Sequence, residues 1–309
     1  MARPSEDGTP RGRRALVTGL GGFTGRYVAA ELESAGYEVV GLTHGSGDGA
    51  KPVDLCDRDA MLSIVPRLDA DVVIHLAAIS FVAHGDADAI YRVNVVGTRN
   101  LLEALDRASS RPRIVVLASS ANVYGNATVE PITEDTLPAP ANDYAVSKLA
   151  MENMARLWAD RLPIVITRPF NYTGVGQERQ FLLPKIVEHY ARGAREIELG
   201  NTDVVRDFSD VRDVASCYRG IVEMAPGGST LNLCSGKGYS LEQVLDMVGE
   251  LAGYRIVVRT NPQFVRANEV NRLIGSNQRL ARLMGGFSPR PLMTTLQWMF
   301  AAANENATR

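Results

Sequence analysis

The chain predicts an α/β fold, a Rossmann-type doubly wound parallel sheet with a smaller C-terminal α/β substrate-binding lobe. Three observations carry this expectation. Short apolar runs alternate with helical patterns through the first half, the order of βαβ units. A glycine-rich turn, Gly19-x-x-Gly22-x-x-Gly25, joins the first run to the first helix. Beyond Arg168-Pro169 the alternation becomes irregular and prolines and glycines cluster.

Arg14–Thr18 is short, apolar and β-branched, the pattern of a buried parallel strand. Phe23–Ser34 follows with apolar residues at helical spacing. Strands are then expected at Glu38–Leu42, Asp71–Leu76, Arg113–Ala118 and Pro163–Thr167, with helices at Asp88–Arg107 and Asp143–Arg161 between them. Asn171–Gly176 reads as a loop. After it come a helix at Leu182–Ala194, a strand at Glu196–Leu199, and helices at Asp210–Met224 and Leu241–Ala252. This divides the chain into a polar tail expected to be disordered (1–12), a dinucleotide-binding domain (13–170) and a substrate-binding lobe (171–309), with segments after residue 200 returning to the first domain.

The 309 residues suffice for a substantial core, and 45% of them are hydrophobic. Basic and acidic residues nearly cancel, 33 against 35, and no basic stripe or cluster points to nucleic acid or a membrane surface. Cys56, Cys217 and Cys234 are widely spread, with neither metal-ligand spacing nor an even-numbered disulfide framework. No metal is expected. The tail lacks the apolar core of a signal peptide, and no stretch is long and apolar enough to span a bilayer. The expectation is a reduced, cytoplasmic protein.

At a strand-to-helix turn the three glycines have distinct uses. Gly19 permits the tight turn, Gly22 lets the backbone approach a pyrophosphate, and Gly25 allows the helix to pack closely on the strand. The helix N-terminus offers N–H groups to the phosphates. The second strand ends near Thr43 and His44 without the acidic residue that would bind the adenosine ribose hydroxyls. Arg26 and Lys51 are possible nearby cations. NADP(H) is therefore favoured, with NAD(H) possible. Asp54, in Val53-Asp54-Leu55, either hydrogen-bonds the adenine amino group or caps the next helix.

Ser119 and Ser120 end a predicted parallel strand, where ligands bind in open α/β sheets. Tyr144 and Lys148 lie one helical turn apart and share a face. A free phenol titrates near 10, and a neighbouring ammonium lowers that value by favouring the phenolate. Tyr144 can then act as general acid or base. Ser120 would hydrogen-bond the substrate oxygen as charge develops.

These motifs resemble the extended short-chain dehydrogenases/reductases that act on nucleotide sugars. The resemblance spans about Arg14 to Leu292. It is carried by Gly19-Leu-Gly-Gly22-Phe-Thr-Gly25, His75-Leu-Ala-Ala, Asn94 in Val-Asn-Val-Val-Gly-Thr, Ser119-Ser120-Ala-Asn-Val-Tyr-Gly125, Tyr144-Ala-Val-Ser-Lys148, Arg168-Pro-Phe-Asn171 and Arg206-Asp-Phe-Ser-Asp210. It implies Ser120, Tyr144 and Lys148 as the catalytic group. It also implies a dinucleotide held by Gly19, Gly22, Phe23, Thr24, Gly25, Thr43, His44, Asp54, Leu55, Leu76, Ala77, Ala78 and Asn94, with Tyr144 and Lys148.

Within the family the chain is most similar to reductases of GDP-4-keto-6-deoxy-mannose. That likeness rests on Asn171 in its setting, Val211-Arg-Asp-Val, Asn232-Leu-Cys-Ser-Gly236, Arg266-Ala-Asn-Glu269-Val and Leu273-Ile-Gly-Ser-Asn277. It implies a nucleotide-diphosphate sugar as substrate, a GDP-sugar by preference. Asn171, Lys185, Arg206 and Arg266 would face the diphosphate side and Glu269 the nucleotide ribose, with Ser80, Ser120 and Asn122 near the sugar. Arginine forks suit a diphosphate. The plainer alternatives are surface ion pairs for Arg206 and Arg266 and a solvated helix position for Lys185.

The residues after Ser120 narrow the reaction. Dehydratases of the family place an Asp-Glu pair or a lone Glu there, and epimerase-reductases a cysteine; this chain has Ala121 and Asn122, which do no acid–base work. Reduction of a 4-keto sugar remains, or 4-epimerisation with a tightly held NAD. A non-catalytic dinucleotide sensor is a further alternative, opposed by the presence of all three catalytic residues. The family resemblance also implies a homodimer through the helices at Asp88–Arg107 and Asp143–Arg161, with Leu101, Leu105, Met151 and Met154 as candidate contacts.

Overall fold

The computed structural model describes residues 13–43, 50–80, 85–224, 226–264 and 270–307. In chain order the main elements are β1 (Arg14–Thr18), α1 (Phe23–Ser34), β2 (Glu38–Thr43), β3 (Ala50–Pro52), α2 (Arg58–Ile64), β4 (Val72–His75), α3 (Ala87–Tyr91), α4 (Thr98–Asp106), β5 (Ile114–Ala118), α5 (Asp143–Arg156), β6 (Ile164–Pro169) and β7 (Asn171–Thr173). They continue with α6 (Leu182–Ala191), β8 (Glu196–Leu199), β9 (Val205–Asp210), α7 (Val211–Met224), β10 (Thr230–Leu233), β11 (Gly238–Ser240), α8 (Leu241–Ala252), β12 (Val257–Thr260), β13 (Arg272–Leu273), α9 (Gln278–Leu283) and α10 (Leu292–Ala307).

Seven strands form one sheet in the order β10-β6-β5-β4-β1-β2-β3. The pairings from β3 through β6 are parallel. Strand order reverses between β1 and β4, the switch point where doubly wound sheets open a crevice for ligands. The expected α/β architecture is therefore present.

The chain divides into two compact units. The first comprises Met1–Val123, Asn142–Arg168 and Ala215–Leu231. Its core joins sheet residues Leu16, Val73, Val115 and Leu117 to Leu101, Leu105 and Met151 of the helices. The second comprises Tyr124–Ala141, Pro169–Val214 and Asn232–Arg309. There β9 pairs with β7 and β13 in parallel and with β11 antiparallel, while β8 pairs with β12. Leu183, Ile186, Tyr190, Val244, Val248 and Leu296 pack a separate core under these strands.

Two expectations need correction. The helix foreseen at Asp88–Arg107 is interrupted by a π-helical turn, Arg92–Gly97. The Thr98 hydroxyl donates to the Asn94 carbonyl at 2.8 Å, while the Thr98 N–H bonds to the Val95 carbonyl. The loop foreseen at Asn171–Gly176 begins as β7, because β9 supplies a partner strand that no local signal announces.

Candidate active site

Parallel register aligns the strand ends. Thr18 pairs with Leu42 on one side and His75 on the other, and Ala118 pairs with Thr167. Gly19, Thr43, Leu76 and Ser119 thus leave the sheet along one carboxyl edge.

The glycine turn has the shape its spacing predicts. Gly19 has φ +73°, and a Cβ there would lie 2.9 Å from the Ala77 nitrogen. A Cβ on Gly25 would lie 2.2 Å from the Gly19 carbonyl oxygen, so only glycine lets α1 start this close to β1. Gly22 caps α1 without a side-chain acceptor, and the first turn holds no acidic residue. The helix N-terminus is therefore not neutralised by its own sequence, and this cradle fits a pyrophosphate. Asp54 accepts from the Cys56 N–H at 2.8 Å, whereas Asp57 caps α2 through the Ala60 N–H. The reading of Asp54 as the helix cap is thereby corrected.

Beneath this edge runs a polar chain that sequence spacing did not disclose. The Ala77 N–H donates to the Thr18 hydroxyl at 3.2 Å, which meets His75 Nδ1 at 2.6 Å. His75 Nε2 lies 2.9 Å from the Thr98 hydroxyl, which donates to the Asn94 carbonyl. Because the Thr98 proton is committed there, His75 must donate from Nε2 and accept at Nδ1, which is the neutral tautomer. Burial, with the Lys148 charge, pushes the His75 pKa down to about 3. Asn94 in turn clamps Ile79, accepting from its N–H at 2.9 Å and donating to its carbonyl and to the Ser147 hydroxyl. The network fixes the Leu76–Ile79 backbone against α4 and α5, so Asn94 meets the backbone of the proposed cofactor wall.

Asn142 caps α5 through the Ala145 N–H, which starts the helix so that Tyr144 falls in its first turn. Lys148, one turn on, is buried, and its ammonium donates to the Ala118 carbonyl at 2.8 Å. That bond places the ammonium at the end of β5, 6.0 Å from the Tyr144 ring centroid. Burial pushes the Lys148 pKa down to about 8. Ser120 is buried at the same strand end, its hydroxyl accepting from the Asn122 N–H at 3.2 Å. The structure thus brings Ser120, Tyr144 and Lys148 to one edge of one unit.

A buried ion pair, also missed from sequence, lies behind them. Arg168 grips Glu152 with Nε at 2.9 Å and Nη2 at 2.6 Å, and the Ser119 hydroxyl donates to the same carboxylate at 2.5 Å. One signal was available: Glu152 continues the Tyr144–Lys148 spacing by a further turn, on a face that also buries Met151 and Ala155.

Of the residues expected on the substrate side, Asn171, Lys185 and Arg206 belong to the second unit. Asn171 opens β7, and its Nδ2 is buried without a hydrogen-bond partner, an orphaned donor aimed at no protein group. Lys185 is not a plain solvated position: it donates to the Glu198 carbonyl at 2.6 Å and stands 4.2 Å from the Phe264 ring centroid. Arg206 donates to the Val205 and Asn271 carbonyls at 3.1 Å. Ser80 is exposed in the first unit. His44, Arg266 and Glu269 lie outside the described residues. Leu101, Leu105 and Met151, candidates for a subunit contact, are buried in their own core instead. Among the described residues no group of acidic, histidine and cysteine side chains is placed to hold a metal.

Residues 15–234 match the NAD dependent epimerase/dehydratase family. The chain is 32% identical over 273 residues to GDP-6-deoxy-D-talose 4-dehydrogenase of Aggregatibacter actinomycetemcomitans, covering 88% of this chain and 91% of that one. It is 33% identical over 281 residues to GDP-6-deoxy-D-mannose reductase of Pseudomonas aeruginosa, covering 87% and 90%. UDP-glucose 4-epimerase of Streptomyces lividans is 34% identical over 271 residues, 78% of this chain and 82% of its own. Two solved structures superpose closely. A chain from Burkholderia cenocepacia J2315 is 52% identical, with TM-score 0.89 over 98% of this chain and all of that one. RMD from Pseudomonas aeruginosa, complexed with NADPH, is 30% identical, with TM-score 0.84 over 96% and 98%. With its glycine cradle, strand-end serine and Tyr144–Lys148 pair, the chain is an enzyme of the NAD dependent epimerase/dehydratase family, the extended short-chain dehydrogenase/reductase group that its motifs resemble.

Proposed function

We propose that the protein reduces the C4 ketone of a nucleotide-activated 4-keto-6-deoxy sugar, with a GDP-sugar as substrate and NADPH as the preferred reductant. The observation that carries this reading is the grouping of Ser120, Tyr144 and Lys148 at one strand end, followed directly by Ala121 and Asn122. The group can move a proton to or from a carbonyl oxygen. It offers no second base for dehydration or for epimerisation beside the ketone. The names of the two GDP-sugar relatives support the choice, since one is a 4-dehydrogenase and the other a reductase of GDP-6-deoxy sugars.

In this mechanism the bound dinucleotide supplies the hydride. Ser120 hydrogen-bonds the ketone oxygen and stabilises its developing charge. Tyr144 delivers the proton to that oxygen, while the Lys148 ammonium makes the phenol more acidic. The unpartnered Asn171 amide is a donor for the substrate's diphosphate side. A homodimer and a cytoplasmic site belong to the same proposal. The exposed apolar side chains Val96 and Val146 stand on the helices we assign to the subunit contact. No described helix is long and apolar enough to cross a membrane.

A second reading, 4-epimerisation with a retained NAD, is favoured by the likeness to UDP-glucose 4-epimerase. One preparation separates the two. Purified protein is mixed with NADPH or NADH and GDP-4-keto-6-deoxy-mannose formed in place by a dehydratase. Rapid loss of nicotinamide absorbance is expected, faster with NADPH. No oxidation, together with stoichiometric NAD surviving gel filtration, would replace the reductase by the epimerase.

A further inference from the structure

Lys148 is an ammonium in a dry place. Its surroundings include the Ala118 carbonyl, neutral His75 from β4, the Tyr144 ring on its own helix, and Glu152 one turn further along. Arg168 of β6 stands beyond Glu152 and grips it through two nitrogens. Glu152 is fully buried, and Ser119, next to the catalytic serine, donates to it. Glu152 thus pairs directly with Arg168 and lies one helical turn from the Lys148 ammonium on the same buried face, and a carboxylate so placed lowers the cost of holding a cation in a low dielectric.

We propose that Glu152 is a positioning residue that holds Lys148 in its cationic form beside Tyr144, and that the Ser119–Glu152–Arg168 cluster thereby sets the alkaline limit of the reaction. This inference rests on the proton-transfer reading of Tyr144 and Lys148. Burial opposes the Lys148 charge; the Ala118 carbonyl accepts from it, and Glu152, on the same buried helix face one turn on, is the negative charge that supports it. Replacing Glu152 by glutamine leaves Lys148 and Arg168 both cationic with no buried carboxylate beside them. Lys148 then gives up its proton at lower pH, and Tyr144, facing a neutral amine, keeps its own proton to higher pH.

The test uses the full chain with NADPH and the 4-keto sugar, taking kcat from about pH 6 to about pH 10. In Glu152→Gln the alkaline limb is expected to move about one unit to lower pH, and in Glu152→Asp, which keeps the charge, to stay in place. A readout without substrate accompanies it: tyrosinate absorbance of the unliganded protein minus that of Tyr144→Phe, and of Glu152→Gln minus Glu152→Gln/Tyr144→Phe. The Tyr144 component is expected to move to higher pH, opposite to the kinetic limb. If Glu152→Gln fails to fold, Glu152→Gln/Arg168→Met removes the carboxylate without stranding Arg168 and is expected to show both shifts in the same directions, each smaller. A rate lowered evenly at every pH, with neither shift, would overturn the proposal and leave Glu152 as a structural ion pair. Tyr144→Phe at the parent rate would overturn the proton-transfer reading itself. A Tyr144→Phe variant that is dead while the limb in Glu152→Gln stays unmoved defeats this inference alone.

Discussion

Adding one methyl group at Gly25 tests the cofactor cradle directly. The Cβ of Gly25→Ala would lie 2.2 Å from the Gly19 oxygen, 2.6 Å from the Leu20 oxygen and 2.8 Å from the Leu20 carbonyl carbon. All three are backbone atoms, so no side-chain rotation relieves the overlap. Restoring even a 3.0 Å contact to the Gly19 oxygen needs a displacement of roughly 0.8 Å between the turn and α1. That oxygen also accepts the Gly22 N–H at 3.0 Å, the bond that closes the turn. Over-packing of this kind destabilises by about 1–3 kcal/mol, which lowers Tm by about 2–10 °C in a chain of this size. The larger effect falls on binding. Misaligning one or two amide donors to a phosphate loses about 1.5–3 kcal/mol each, so NADPH should bind roughly 100-fold more weakly. Gly21→Ala is the control, because nothing lies within 4 Å of its Cβ and the position is exposed. Nicotinamide fluorescence titration gives the affinities and a thermal melt confirms folding. If folded Gly25→Ala bound NADPH within about twofold of the parent, the cradle reasoning would be wrong.

Thr43 ends β2 where a ribose-binding carboxylate is absent, so Thr43→Asp should shift preference from NADPH to NADH by about tenfold or more in the ratio of kcat/KM values. An unchanged ratio would show that this strand end does not read the ribose. His75 is neutral in the folded protein, its pKa pushed down to about 3 from an ordinary 6.5, so between those values the unfolded chain binds the extra proton. Stability should therefore be fully present above about pH 6.5 and fall by up to about 1.4 kcal/mol per pH unit below it. Urea unfolding at about pH 7 and about pH 5.5 should show this loss reduced in His75→Gln. Asp207 is buried in the second unit and accepts from the Ser235 N–H and hydroxyl at 2.8 and 2.6 Å and from the Gly236 N–H at 2.9 Å. In Asp207→Asn an amide nitrogen must face one of these donors, for a loss of about 3 kcal/mol and about 6–12 °C in Tm. A melt within about 2 °C of the parent would contradict that accounting.

Much of the site was legible because its logic is local. Gly25 is dictated by backbone sterics within one turn and Gly19 by its positive φ, and Tyr144 and Lys148 by the i, i+4 geometry of one helix. Glu152 and Arg168 were not read, although the helix spacing placed the glutamate on the right face. A lone carboxylate and a lone guanidinium look like ordinary surface charges until β5, β6 and α5 bring them together. The same holds for Thr18, His75 and Thr98, whose hydroxyl–imidazole–hydroxyl order appears only when β1, β4 and α4 are side by side. Short strands such as β7 and β13 carry too few residues for a period-2 signal and exist because β9 offers them a partner.

The sequence by itself determined the alternating strands and helices of the doubly wound sheet, the tight glycine turn and the shared helix face of Tyr144 and Lys148. Each follows from periodicity, glycine geometry or spacing along one element, interactions that act within a few residues. Only the tertiary structure decided that Leu101, Leu105 and Met151 serve their own core, that the Asn94 helix passes through a π-turn, and that Lys148 stands before a buried carboxylate. Those outcomes depend on which elements become neighbours, and burial turns a side chain's ordinary charge or polarity into a requirement for a specific partner.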